Sequence, residues 1–294
     1  MNSFPLIRKP GSNETAMSNL FMVTLLYFLP GWISKPDKIL QFFVVLAVAL
    51  ITDTLINFNR FKKPVCSVSA AVTASLLQIL TPAVPLWGLI PGVAVSLTIG
   101  KHLWGGTGKN IFNPAIIGVF FLTFFYNIKV QQFSGSPLII AAMIISAPFI
   151  HHRPFASIGW MAGMTAALFT NQPFTPISLV SYGVLFFGSL IITDPVTITA
   201  KPVTGLIFGL VFGFFSVYLS SNLQYLTGAI LTFNLLSYLF DKTPLFQDLK
   251  LPVRLKIKPP IPFDNYNEII DLTKQNISPE TRFPEPQSPS EILN

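Results

Sequence analysis

Charge is scarce in this chain. Of 294 residues, 11% are charged and 51% hydrophobic, and the mean hydropathy is +0.60. An ordinary soluble domain carries about 25% charged residues, so that class is excluded. Acids are scarcest in the middle: of 12, only Asp37, Asp53 and Asp194 lie between Met17 and Phe240. Cysteine is nearly absent, and a lone Cys66 rules out an intramolecular disulfide or a cysteine-held iron–sulfur cluster within the chain. The three histidines, His102, His151 and His152, lack metal-site company, and His151-His152-Arg153 reads as a loop or headgroup contact. There is no Rossmann glycine pattern, nucleophile elbow or paired carboxylate site. No secretory signal precedes the first apolar run, because residues 1–16 are polar and no small-residue cleavage site follows, so that run is expected to stay as an anchor.

What is present is apolar length. Phenylalanine is abundant at 28 residues, as faces turned to lipid require. A helix needs roughly 20 apolar residues to cross a bilayer, fewer when it is buried or broken. On that ruler ten segments emerge, at 18–34, 38–57, 67–80, 87–100, 113–127, 137–150, 155–169, 178–192, 204–219 and 225–240. The fold class is therefore an all-α polytopic membrane protein. With a cytoplasmic N-terminus, the inside loops hold Arg8, Lys9, Arg60, Lys62, Lys63, Lys101, Lys109, Arg153 and Lys201. The outside loops hold only Lys35, Lys38 and Lys129. That bias satisfies the positive-inside rule and puts both termini in the cytoplasm, with the bilayer being a bacterial-type inner membrane. The formal charge of +7 is accounted for by topology and anionic lipid, and a nucleic-acid partner is not expected. Three regions follow: a cytoplasmic segment 1–16, a transmembrane domain 17–241, and a tail 242–294. The tail carries Pro252, Pro259, Pro260, Pro262, Pro279, Pro284, Pro286 and Pro289 with most of the acids, a composition that cannot build its own core.

Two spans look interrupted at their cytoplasmic ends and then resumed. The first runs Ala70–Leu80, breaks at Thr81-Pro82-Ala83-Val84-Pro85 and resumes from Trp87. The second runs Tyr182–Ile192, breaks at Thr193-Asp194-Pro195-Val196-Thr197 and resumes from Leu206. Proline removes backbone donors, so helix cannot continue through, and the freed carbonyls need protein or water at membrane depth. The blocks 67–127 and 178–240 share this order. Beginning at the third and eighth crossings, they imply two five-helix repeats, about 17–127 and 137–241, inverted relative to each other. Paired breaks at such a repeat interface mark a candidate site near mid-membrane.

The string Lys101-His102-Leu103-Trp104-Gly105-Gly106-Thr107-Gly108-Lys109-Asn110-Ile111-Phe112-Asn113-Pro114-Ala115 is the most distinctive. Gly105, Gly106 and Gly108 allow positive φ and close approach. Asn113 is placed to cap a helix with Pro114 at its first position, leaving an N-terminus suited to a phosphate or carboxylate; the alternative is a tight turn packing two helices. It is not a Walker loop, since Leu103 and Asn110 stand where that motif needs Gly and Ser or Thr. Asp53 and Asp194 are the intramembrane carboxylates and the candidate ion pathway, the alternatives being pairing of Asp53 with Arg60 or Lys62 and a helix-end cap for Asp194. Ser69, Thr73 and Ser75 could line a cavity or bond back to their own helix.

These strings, with Ser69-Ala70-Ala71-Val72-Thr73, Leu80-Thr81-Pro82, Thr193-Asp194-Pro195-Val196-Thr197 and Asn234-Leu235-Leu236, resemble one family over roughly residues 5–241. It is the D subunit of the Rnf electron-transport complex and its relative, the B subunit of sodium-translocating NADH:quinone reductase. The resemblance implies ten helices in two inverted repeats, other membrane subunits as partners, and electron transfer coupled to Na⁺ or H⁺ movement. It also implies flavin, as FMN or riboflavin, with Gly105, Gly106, Gly108, Asn110, Asn113, Thr73 and Thr197 as candidate contacts. Family members attach FMN through its phosphate to a threonine in Ser-Gly-Ala-Thr after the fifth helix. Here the loop Asn127–Ser136 ends in Ser134-Gly135-Ser136-Pro137-Leu138, without threonine or acid. Either Ser136 replaces that threonine, or Ser136 begins the sixth helix and the flavin loop is deleted. The shortness fits deletion better. A stand-alone transporter or binding protein for flavin or another small solute, and a purely structural subunit, are the other functional classes. In-gel fluorescence after denaturation is expected to show no flavin band; a wild-type band that disappears in Ser136→Ala would place FMN on that serine.

Overall fold

The computed structural model describes residues 10–62, 64–126, 128, 154–171, 187–192, 194, 196–199, 201–219 and 222–242. Its contacts divide the chain into two units, Met1–Leu249 and Lys250–Asn294. The second unit lies wholly outside the described residues, as do the predicted span 137–150, most of 178–192, Ser136 and the Pro-rich tail.

All regular structure among the described residues is helical: α1 (Pro10–Ser34), α2 (Asp37–Phe61), α3 (Val68–Leu80), α4 (Leu86–Val95), α5 (Pro114–Thr123), α6 (Pro154–Asn171), α7 (Pro202–Leu219) and α8 (Leu223–Lys242). α4 continues as a π-helical turn, Ser96–His102, and a second π-helical piece covers Phe187–Ile191. By length and composition, α2, α7 and α8 are each long and apolar enough to cross a membrane. At a rise of about 1.5 Å per residue, α2 is about 37 Å long, whereas α3 and α5 are only about 20 and 15 Å. α3 is nevertheless buried from Ala70 to Leu80, so it is a short internal helix enclosed by longer ones.

Helix stops where the prolines require. α3 ends at Leu80 and Thr81 closes it, its N–H donating to Leu77 O at 3.0 Å and its hydroxyl to the same oxygen at 2.7 Å. Chain resumes as helix only after Pro85. In the second break, Asp194 and residues 196–199 are non-helical and α7 begins at Pro202. The position of the breaks corrects the expectation of two cytoplasmic-end interruptions. Lys38 Nζ reaches Pro82 O at 3.4 Å and Gln41 Nε2 donates to Val84 O at 3.3 Å. The first break therefore lies beside the start of α2, the end away from Arg60. Tyr126, just past α5, sits over Gly88 on the same side. The second break instead meets Asn113 at the start of α5. The two breaks lie at opposite ends of α5.

α5 and α8 run antiparallel. Asn113 bonds Asn234 at one end, Phe120 stands over Gly228 midway, and Thr123–Tyr126 meet Asn222 and Gln224 at the other. Each is capped by the same device: Asn113 Oδ1 accepts the Ala115 N–H at 3.0 Å, and Asn222 Oδ1 the Gln224 N–H at 2.8 Å. Elsewhere α6 and α7 pack backbone to backbone. A Cβ on Gly163 would lie 2.1 Å from Leu210 O, and one on Gly209 would lie 2.3 Å from Ala156 O. Small residues permit such approach, and in lipid that packing replaces the hydrophobic drive.

Adding a methyl at that seam has no room to relax, because the clash is with backbone. Gly209→Ala is expected to destabilise the protein by about 1–3 kcal/mol, the usual cost of overpacking. Gly228→Ala, whose nearest neighbour is 3.7 Å away, should be neutral or stabilising through helix propensity. Thermal unfolding in detergent of the two variants reads the difference; equal midpoints would refute the close seam.

Candidate functional site

A single carboxylate in the interior organises the first half. Asp53, on α2, is fully buried, as are Lys101 and His102 on the π-helical end of α4. A carboxylate there without a counter-charge would cost several kcal/mol, so partners must be brought to it. Asp53 Oδ1 accepts from Lys101 Nζ at 2.7 Å and lies 2.8 Å from His102 Nε2. Oδ2 accepts from Ser67 N at 3.0 Å, Ser67 Oγ at 2.9 Å and Asn57 Nδ2 at 3.4 Å. Lys101 Nζ also donates to Ser67 Oγ at 2.5 Å. Because the acceptor is an anion, His102 serves as donor through Nε2–H, and Nδ1 is its second ring nitrogen. That Nδ1 is buried and has no hydrogen-bond partner among the described residues.

Local structure explains how two consecutive residues reach one oxygen. The Leu103 N–H bonds Thr98 O at 2.8 Å and the Gly106 N–H bonds Lys101 O at 3.1 Å, both i→i−5 spacings. Such π turns are wider than α turns and recur at functional positions. Gly100 makes the approach possible, for a Cβ there would lie 2.7 Å from Pro114 Cα. On the other side, residues 64–67 lead from exposed Pro64–Cys66 back to Ser67, at the start of α3 beside Asp53.

Two expectations are corrected. Asp53 pairs with Lys101 and His102, rather than with Arg60 or Lys62, and its oxygens are fully engaged by donors. Lys101 is not a solvated loop charge but a buried ion-pair partner at 1% exposure. Proximity in sequence misleads, since the true partners lie 48 and 49 residues away. The signal that could have found them is physical: an isolated intramembrane carboxylate needs a cation, and Lys101 ends an apolar run.

A second junction joins first-half and second-half residues. Asn113 N donates to Asn234 Oδ1 at 3.1 Å, Asn113 Nδ2 to Asp194 Oδ2 at 3.3 Å, and Asn234 Nδ2 to Thr197 O at 3.4 Å. Asp194 Oδ1 accepts the Val196 N–H at 3.0 Å. The sequence suits the start of α5 to an external phosphate or carboxylate. Within the chain, the Asn113 side chain links that start to the carboxylate of Asp194. Thr197 is buried beside it, and its Oγ1 has no partner among the described residues. Motif reasoning does not reach Asn234 as a site residue; an asparagine inside an apolar helix is the available clue.

The remaining candidates do not converge. Gly105, Gly106 and Gly108 take φ of +116°, +95° and +86°, but a Cβ on Gly106 or Gly108 would meet nothing within 4 Å, so neither is pressed against a surface. The side chain of Asn110 donates to Phe112 O. Thr73 and Ser75 bond back to Ser69 O and Ala71 O, each at 2.9 Å. A cleft of ≈ 280 Å³ opens at the far end of α5, lined by Thr123, Phe124, Phe125, Tyr126, Ile128, Asn222 and Gln224. None of the sequence candidates lines it.

Residues 1–143, which include Asp53, Lys101, His102 and the glycine string, match the NQR2, RnfD, RnfE family. Over that stretch, just under half of its length, the chain is similar to that family. Relatives named as the D subunit of an ion-translocating oxidoreductase complex include that of Aeromonas hydrophila, 31% identical over 134 residues, 42% of this chain and 38% of the relative. That of Haemophilus ducreyi is 25% identical over 143 residues, 45% of this chain and 41% of the relative. That of Vibrio vulnificus is 33% identical over 120 residues, 39% of this chain and 32% of the relative. The chain thus covers about two fifths or less of these relatives, and the second-half strings at Thr193–Thr197 and Asn234–Leu236 lie beyond the family match. Its apolar helices and this similarity make it an integral membrane protein.

Removing one member of the Asp53–Lys101 pair strands the other in the interior. Lys101→Met is expected to cost about 3–5 kcal/mol, and the double variant Asp53→Asn/Lys101→Met to recover much of it. Denaturant titration in detergent checks this; additive losses would refute the coupling.

Proposed function

We propose that the chain is a D-type membrane subunit of an Rnf-like electron-transport complex, taking part in electron transfer coupled to Na⁺ or H⁺ movement. The observation that carries the reading is the family match over residues 1–143, within which lie the glycine string, the first break and the buried Asp53 cluster. Its relatives bear the name of one subunit of an ion-translocating oxidoreductase complex, which supports further membrane subunits as partners.

The architecture proposed with it is ten helices in two inverted five-helix repeats in the inner membrane, both termini cytoplasmic. Support comes from α5 and α8, which are antiparallel and Asn-capped alike, as the closing helices of two inverted halves would be. Breaks at opposite ends of α5 suit the same relation. In this reading Asp194 is the stronger cation contact. Asp53 has five donors on its two oxygens, whereas Asp194 is only half-buried and sits where the halves meet. Its carboxylate would attract a cation near the discontinuous helix, while Asn113 and the Val196 amide hold it in place.

No described residue is assigned to flavin. Of its candidate contacts, the three glycines, Asn110, Asn113 and Thr73 are engaged in caps, turns and back-bonds, Thr197 Oγ1 has no partner among the described residues, and Ser136 lies outside them.

Mild-detergent purification from native membranes should bring down other redox subunits; a chain that repeatedly purifies alone and moves solute in liposomes would overturn the assignment. In the assembled complex, Asp194→Asn should cut ion translocation at least tenfold while leaving electron transfer measurable. Unchanged translocation would remove Asp194 from the path.

A further inference from the structure

Most buried hydroxyls of this protein turn back to their own helix. Thr73, Ser75, Thr81, Ser96, Ser216 and Thr227 each donate to a carbonyl three or four residues earlier, at 2.6–2.9 Å. Thr197, Thr204 and Ser237 do not. They are 3%, 4% and 1% exposed, and the hydroxyl oxygen of each has no partner among the described residues. A buried hydroxyl left so is costly, and three of them in one region call for a ligand.

The three share a seam between the second break, α7 and α8. Asn234 Nδ2 donates to Thr197 O at 3.4 Å and Thr199 Oγ1 to Asp241. Residues 197–199 therefore lie along the face of α8 that carries Asn234, Ser237 and Asp241, spaced three and four apart. Ser237 is also flanked along its helix by Phe233 and Phe240, whose rings meet that of Phe208 at 6.2 and 4.8 Å. Phe208 stands one turn beyond Thr204 on α7, which puts Thr204 beside the same stretch of α8. Packing loosens there. A Cβ on Gly209 or Gly213 would lie 2.3 or 2.2 Å from backbone, whereas at Gly205, next to Thr204, the nearest atom is 3.4 Å away.

We propose that this seam is an internal water site, in which the hydroxyls of Thr197, Thr204 and Ser237 share bound water beside the second break. Charge decides the class of occupant. Thr204 lies in the first turn of α7, whose partial positive charge opposes a cation, and Lys201 Nζ bonds Phe240 O nearby at 2.7 Å. An anion would instead face Asp241, which Thr199 holds, and Asp194, three residues before Thr197. A small neutral molecule that both donates and accepts answers all three hydroxyls, and buried waters make about three such bonds each. Non-helical backbone at membrane depth is also tolerated where water meets it. The first break uses side chains for that purpose, Lys38 to Pro82 O and Gln41 to Val84 O. Asn234 stands between the water site and Asp194, since it bonds Thr197 O and the Asn113 N–H while Asn113 bonds Asp194. Solvent inside the bundle is thereby only two amide side chains from that carboxylate. The proposal concerns this chain alone and holds whether or not the redox complex assigned above forms.

The test is water-edited solid-state NMR of the full ¹³C,¹⁵N-labelled chain in lipid bilayers, which reads how fast magnetisation passes from water protons to each side chain. Signals are assigned sequentially through the backbone. Thr197, Thr204 and Ser237 should fill several-fold faster than Thr73 and Ser75, which are as buried but bond back to their helix. Exposed Thr107 marks the fast limit. In Ser237→Ala the rates at Thr197 and Thr204 should fall, because their shared water loses a partner. Ser216→Ala, which removes a back-bonded hydroxyl from α7, should leave them unchanged. Rates as slow as that of Thr73, rates unaltered in Ser237→Ala, or signals at the three residues that shift when Na⁺ replaces choline would each overturn the proposal. The comparison within the unsubstituted chain decides the matter even if a variant does not fold.

Discussion

One buried carboxylate, Asp53, dictates the arrangement of the first half. Its two oxygens draw donors from three separate places in sequence: Asn57 on its own helix, Ser67 before α3, and Lys101 and His102 after α4. Each must arrive at one depth. The chain past α2 therefore turns back to bring Ser67 to Asp53, and α4 extends as a wider π turn to deliver two adjacent side chains. A charge in lipid is tolerated only when so many partners attend it, and the attendance fixes where α3 begins and α4 ends. The shortness of α3 is a result of that requirement. It starts at the carboxylate rather than at the surface.

The opposed breaks belong to the same geometry. α3 leaves the Asp53 level and reaches the start of α2 within about 20 Å, where Thr81 and Pro82 stop it. α4 returns to the carboxylate, and the glycine turn then places Asn113 at the head of α5. The second break meets α5 at that head, through Asp194 and Asn113. Asn234 completes the junction from α8, so its stability rests on amide and carboxylate groups that satisfy one another rather than on apolar contact. Truncating any one of the three would break bonds that the other two make at the junction.

Helices are legible in the sequence because proline, glycine and apolar length act locally. The stop at Pro82, the Asn113 cap and the start of α7 near Pro202 need nothing beyond neighbouring residues. Partners are less legible. Lys101 looks like a positive-inside loop charge because a lysine after an apolar run ordinarily ends in water. Only the fold shows that it turns inward. The two break strings look alike and so suggest one side of the membrane, yet the fold puts them at opposite ends of α5. Similarly, the anion for α5 is sought outside the chain, since nothing in the spacing of Asn113 and Asp194 brings them together.

The molecule is electrically lopsided as a consequence. Asp53 and Asp194 both sit toward the head of α5, where Gly100 presses on Pro114 and Asn113 meets the second break. The first break, at the other end, offers Thr81-Pro82-Ala83 where the second has Thr193-Asp194-Pro195, and so supplies no carboxylate. The carboxylate of the second break meets Asn113 and the Val196 amide, whereas the first break offers backbone carbonyls such as Pro82 O and Val84 O, which Lys38 and Gln41 engage. An inverted pair of halves with identical breaks would treat the two faces of the membrane alike. Placing an acid in only one break removes that equivalence.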